Sequence, residues 1–254
     1  MKTNKTTDLV LSLAISIFAA VTSLLFRANF FISTLLFFGL PSLFISFKNK
    51  NGAKKSAVFA FLITVPFTFL FDYLITIDKG WYIVDSMFNF RLLNIVAIEQ
   101  FVWAFLWAYQ IIIFYEYFLD NQKKINLLTL ISKLFNRKKE FISKRMKLFS
   151  LILFAALLAI VVFISANPSS LRINYAYFWL GLIFAITPLL IFLIKFPNFW
   201  LKFSKITAYF FLLAVMIEFV GLKLNHWVFP GNHYWGVVGF FGYRIPLEEF
   251  FLYF

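Results

Sequence analysis

The chain has 254 residues and a formal net charge of +13, with 62% hydrophobic residues, 39 phenylalanines, 14% charged residues and a mean hydropathy of +0.86. So little polar surface cannot cover a soluble globule, and the composition specifies an integral membrane protein. Cysteine is absent, which excludes disulfides, thiolate metal sites and cysteine nucleophiles and leaves the redox compartment unreadable.

Apolar runs long enough to cross about 30 Å of hydrocarbon lie near residues 9–26, 29–47, 56–77, 92–119, 148–166, 175–195 and 206–223, and an eighth opens near 246. These runs predict an all-α integral membrane protein of about seven complete transmembrane helices and the start of an eighth. Lys2 and Lys5 precede the first run, but no small-residue cleavage site follows it, so it reads as a retained span and not as a signal peptide. The 92–119 run is longer than a crossing needs, which predicts tilt or an interfacial end.

Segment 120–147 is strongly basic and carries Ile125, Leu128, Ile131, Leu134 and Phe135 at helical spacing. It reads as an interfacial amphipathic linker, with a docking surface for another protein as the alternative. The linker divides the chain into a first unit, 1–119, and a second, 148–254, of four spans each. Two such units share one orientation, which predicts parallel repeats about an axis along the membrane normal. With a cytoplasmic N-terminus, 18 Lys and Arg fall inside against six outside: Arg27, Lys79, Arg91, Arg172, Lys223 and Arg244. The positive-inside rule favours that orientation, in a bacterial cytoplasmic membrane. Anionic lipid headgroups account for the excess charge, and no nucleic acid partner is implied. A helix opening at Pro246 would hold nine residues before Phe254, about 14 Å of rise. The eighth span is therefore expected to be completed by further sequence, by a partner or by a second copy.

Acids are rare here, and four of them repeat an arrangement. An acid near the end of an apolar run is followed nine residues later by tryptophan, and then by a glutamate that opens another run. The first copy is Asp72, Trp81 and Glu99; the second is Glu218, Trp227 and Glu248, with Glu249 beside it. An ionised carboxylate in hydrocarbon costs several kcal/mol, so such groups are paired, neutral or turned toward a polar cavity. A neutral carboxylic acid is a proton donor. Plainer readings stand beside this one. Glu248 and Glu249 after Pro246 suit a helix N-terminus, Asp72 and Glu218 are within reach of Lys79 and Lys223 for ion pairing, and Trp81 and Trp227 suit interfacial anchoring. Aromatic walls can also stabilise a carbocation. His226 and His233 share one loop without metal-ligand spacing and read as loop or headgroup contacts, so no metal is expected. No glycine-rich nucleotide fingerprint follows a strand pattern, and no cofactor is expected.

The two acid-to-tryptophan segments, the approaches Arg91–Leu93 and Tyr243–Ile245, and Pro246-Leu247-Glu248-Glu249-Phe250-Phe251 resemble the flavin-independent, membrane-embedded lycopene cyclases of bacteria, archaea and fungi. Those proteins are built from paired or fused copies of a small lycopene cyclase domain, and the last segment matches their Pro-x-Glu-Glu signature. The resemblance implies a cofactor-free isomerisation of a linear carotenoid such as lycopene. An acid protonates the terminal double bond of a ψ end, the cation closes a six-membered ring, and loss of a proton leaves a β-ionone-type end group. It implies Glu248 as the group that supplies or relays the proton, with Glu249 tuning it or acting as the alternate acid and Glu99 as the counterpart. Asp72 and Glu218 would position the motif or remove the final proton. Trp81, Trp227, Pro246 and Phe250 would contact the substrate. The first copy departs from the signature, reading Ala97-Ile98-Glu99-Gln100, which puts its catalytic competence in doubt. Two other classes remain open on the sequence: a non-catalytic carotenoid or lipid binder, and a proton-coupled transporter.

Overall fold

The computed structural model describes residues 4–120, 163, 167 and 172–252. Within the compact unit formed by the parts before Asp120 and after Ile173, six helices are long and apolar enough to cross a membrane. They are α1 (Lys5–Leu25), α2 (Phe30–Lys48), α3 (Lys50–Ile77), α4 (Ile98–Leu119), α5 (Ala176–Lys195) and α6 (Pro197–Lys223). A short helix, α7, follows at Glu249–Leu252. The expected span 148–166 and the linker 120–147 lie outside the described residues.

Helices α1 and α3 bury small and polar residues and expose the large apolar ones, while Phe37, Phe38, Trp107, Phe114 and Phe210 of α2, α4 and α6 form an aromatic core. In α1 the buried face is Asp8, Ser12, Ser16, Ala19 and Ser23, while Val10, Phe18 and Val21 face outward. In α3 it is Gly52, Ser56, Ala60, Thr64, Thr68 and Asp72, a strict four-residue stripe. Lipid chains are as apolar as leucine, so nothing drives large side chains inward. Close backbone approach over small residues holds such helices together instead, and that face of α3 packs along α4. Several of the hydroxyls bond within their own helix, as Thr64 Oγ1 does to the Ala60 carbonyl at 2.8 Å, so they add no unsatisfied group there.

One end of the bundle is basic. Asp8 accepts from the Tyr117 hydroxyl and pairs with Lys48 at 3.1 Å, and Lys55 meets Glu116 at 2.5 Å, so α1, α2, α3 and α4 are tied together there. The opposite end carries short strands: β1 (Tyr82–Ile83), β2 (Arg91–Leu92), β3 (Val96–Ala97), β4 (Trp227–Val228), β5 (Val237–Phe240) and β6 (Tyr243–Pro246). β1 pairs antiparallel with β4, as do β2 with β3 and β5 with β6.

These strands correct two expectations. The long run 92–119 is not one helix: Arg91–Ala97 forms the β2–β3 hairpin and the helix begins at Ile98. Leu93 and Asn94 turn that hairpin with positive φ of 53° and 59°. Likewise Pro246 is the last residue of β6, opposite Val237, and the helix after it starts at Glu249. Pro246 is therefore no helix opener.

Elements on either side of the linker follow the same order. Phe30 opens α2 and Ala176 opens α5. Each helix contains a π turn, Leu35–Gly39 and Leu182–Ile186, and a proline follows each, Pro41 and Pro188. A proline has no N–H to give the i−4 ladder, and the π turn has already interrupted that ladder at this point. The next helices end at Ile77 and Lys223, separated along the chain by the same interval as Phe30 and Ala176.

Candidate functional site

The site is built where α3 and α6 end. Both helices stop through the same hydrogen bonds. Gly80 N–H donates to the Ile75 carbonyl and His226 N–H to the Gly221 carbonyl, each at 2.8 Å, with Lys79 and Asn225 in left-handed conformation (φ 62° and 57°). This is a Schellman-type stop, which turns the chain back over its own last turn. The ninth residue after each acid thereby returns to it. Trp81 Nε1–H donates to Asp72 Oδ1 at 2.8 Å, and Trp227 Nε1–H donates to Glu218 Oε2 at 3.3 Å. Gly221 makes the second return possible, because a Cβ there would stand 2.2 Å from the Trp227 ring.

Both tryptophans are buried, at 9% and 7% exposure. They join the protein interior, where the interfacial-anchor reading had put them at headgroups. Asp72 and Glu218, read from the sequence as candidates for pairing with Lys79 and Lys223, instead accept from indoles.

β1 and β4 then cross between the halves, with Tyr82 opposite Val228 and Ile83 opposite Trp227. Loop 229–236 docks on the end of α3. His233 Nδ1 meets Asp78 Oδ1 at 2.7 Å, Asp78 Oδ2 accepts from the Ala176 N–H that opens α5 at 3.2 Å, and the Tyr234 hydroxyl lies 3.0 Å from the Gly80 carbonyl. The two histidines are thus loop contacts, as the sequence suggested for them.

Two narrow clefts meet at this point. One leaves about 10 Å³ free between Trp81, Trp103 and Trp227, with Gln100, Glu218 and Glu249 in its wall. The other leaves about 10 Å³ free against Phe211, Phe240, Ile245 and Phe250, and shares Glu218 and Glu249. Each is far below the usual range of about 300–1,000 Å³ for ligand pockets and has room for about one water, so a bulky apolar guest enters only where the aromatic walls part.

The structure therefore gathers Trp81, Trp227, Glu218, Glu249 and Phe250. It holds others apart. Asp72 reaches the cleft only through the Trp81 indole. Glu99 Oε1 accepts from the Ser86 hydroxyl at 2.8 Å and the Phe88 N–H at 2.9 Å, thirteen and eleven residues earlier. Glu248 Oε1 accepts from the Trp235 N–H, also thirteen residues earlier. Glu99 and Glu248 are thus alike in pinning a preceding loop to the helix start, and each keeps a second buried oxygen without a partner among the described residues. Burial pushes the Glu248 carboxyl above the ordinary range, and the Trp235 amide works against that. Pro246 borders a separate pocket with Tyr234 and Arg244.

Comparison with known protein families, curated proteins and solved structures finds no match.

Sequence reasoning missed Tyr177. Its hydroxyl donates to Glu249 Oε2, its side chain is 1% exposed, and its ring centroid lies 6.0 Å from that of Trp81. It stands at the start of a span, a position with no distinguishing mark in the sequence. Gln100 was noted only as a departure from the signature, yet it lines the cleft with Glu249.

The geometry can do acid chemistry on an apolar guest. Two carboxyls face space walled by indole and phenyl rings. Each carboxyl has a neutral donor, the Trp227 N–H or the Tyr177 hydroxyl, that can stabilise its anion without introducing a cation.

Proposed function

We propose that this chain cyclises a ψ end of a linear carotenoid such as lycopene, by protonation and without net redox change. The observation that carries the reading is the meeting of Glu218 and Glu249 in an apolar cleft walled by Trp81, Trp103 and Trp227. A hydrocarbon polyene offers no group to hydrogen-bond, so a site for it needs apolar walls, and starting the reaction needs one strong proton donor. Aromatic faces then stabilise the cation until the ring has closed.

Geometry favours Glu249 as the donor, because Glu249 borders both clefts while Glu248 is bound to the Trp235 amide. Glu248 then serves to fix the start of α7, as Glu99 does for α4. The Glu218–Trp227 and Asp72–Trp81 pairs set the indole walls, and the final proton returns to the Glu249 carboxylate. We further read the recurring element order as two parallel repeats, in an eight-span protein with the basic end and the N-terminus in the cytoplasm.

The test is pigment analysis of lycopene-producing bacteria that express the chain, alone and within any longer reading frame containing it. Cyclic carotenoid is the expected result. Unchanged lycopene beside well-expressed membrane protein would overturn the reading and move carotenoid binding or transport ahead of it.

A further inference from the structure

The halves meet in one cleft, where two independent sites would have put two. Trp81 and Trp227, the tryptophans of the two acid-to-tryptophan segments, both line it. So do Gln100 and Glu249, which directly follow the matched Glu99 and Glu248. One half thus presents a carboxamide where the other presents a carboxyl. The difference extends to the neighbouring helices. The π turns and following prolines of α2 and α5 put Tyr177 in register with Phe30. Tyr177 donates to Glu249 and lies 6.0 Å from Trp81, whereas Phe30 has no hydroxyl and packs on Trp227 at 5.9 Å. At these two positions the first half lacks both the acid and its donor, which is what a half-site that never gives up a proton there requires.

Resting on the cyclase reading, we propose that each chain has a single proton-donating centre, the Tyr177–Glu249 pair, and that it closes one ring per binding event. The Gln100 side of the cleft holds the end group without reacting, since an amide has no acidic proton to give. The step balances within the substrate and one acid. The Glu249 proton forms a C–H bond at the terminal alkene, and the π pair of a second alkene forms the ring C–C bond. A ring proton then returns to the carboxylate, and nothing is oxidised or reduced. Tyr177 is a positioning residue: its hydrogen bond stabilises the carboxylate while the proton is away. A carotenoid with two open ends must leave and return reversed before its second closure.

The experiment follows ring number over time in proteoliposomes carrying the unaltered protein and excess lycopene. A one-ring product should accumulate first and predominate while lycopene remains. Two-ring product forming from the outset, with no one-ring phase, would overturn the proposal. Glu249→Gln should lower turnover by about 10²-fold or more. Tyr177→Phe should lower kcat about ten- to hundredfold, the worth of one hydrogen bond to a charged group, at unchanged KM. Full kcat in either variant would overturn the assignment of the pair, and so would a Tyr177→Phe loss confined to KM. Absence of any cyclic product from the unaltered protein would instead overturn the parent reading.

Discussion

An indole N–H donates and cannot accept, so each tryptophan of the site satisfies one lone pair on a buried acid and brings no charge with it. The nine-residue spacing was legible in the sequence, but the pairing was not: a left-handed residue at each helix end returns the side chain to its own acid. His226 shows the same economy at a titratable group. It is 1% exposed, and its Nε2–H donates to the Ala28 carbonyl at 2.9 Å, which links the end of α6 to the α1–α2 turn. Burial holds its pKa below the ordinary 6.5, with the Ala28 bond and the Asp85 charge opposing that. Asp85 Oδ2 is 3.9 Å away. A folded pKa that is depressed means that the unfolded chain takes up a proton first. The neutral ring's contribution is therefore whole above about pH 6.5 and is lost as pH falls. The slope for one proton is about 1.4 kcal/mol per pH unit. Thermal unfolding in detergent at pH 7.5 and 5.5 should show the acid-side loss, and His226→Gln should flatten it.

For helices in lipid, the pattern that matters is the inverse of the soluble one. Gly52, Ser56, Ala60, Thr64, Thr68 and Asp72 share one face of α3, and the same stripe that permits close packing along α4 ends in a site acid. Packing and chemistry therefore depend on a single rotation of this helix. Ala60 is 0% exposed and Leu62 is 65% exposed. Ala60→Leu should force α3 from its neighbour and cost about 1–3 kcal/mol, read as a fall in the detergent unfolding temperature. Leu62→Ala, which faces lipid, should leave that temperature unchanged. Equal effects of the two would mean that α3 is rotated about its axis from the arrangement described. The residues that end apolar runs were harder to read. Leu92, Val96 and Ala97 are as apolar as a span, but β2–β3 takes them because Leu93 and Asn94 adopt a turn that a helix cannot continue through.

Across the whole molecule, charge and chemistry lie at opposite ends. Among the described residues, Lys48, Lys50, Lys54 and Lys55 mark one end, with Asp8 and Glu116 paired to two of them, and the site acids, indoles and short strands mark the other. If basic residues stay in the cytoplasm, the site opens near the outer leaflet. The chain has no cysteine, so single replacements report without background. Asn232→Cys, in the exposed loop after β4, should react with an impermeant thiol reagent on intact cells. Asn51→Cys, exposed at the α2–α3 turn, should react only after permeabilisation. The reverse pattern would invert the orientation.

By itself the sequence determined the membrane class, most span positions and the acid–tryptophan spacing, because hydropathy and helix-end geometry are local properties. It also pointed to Glu248 and Glu249 through one short segment. Only the tertiary structure decided which of the two faces a cleft, because adjacent residues at a helix start point in different directions. It alone decided that Glu218, Glu249, Gln100 and both indoles meet. That meeting depends on β1 pairing with β4 and on Asp78 joining loop 229–236 to α5, contacts made across most of the chain. Tyr177 became visible for the same reason: its partner Glu249 lies 72 residues away, beyond any local pattern.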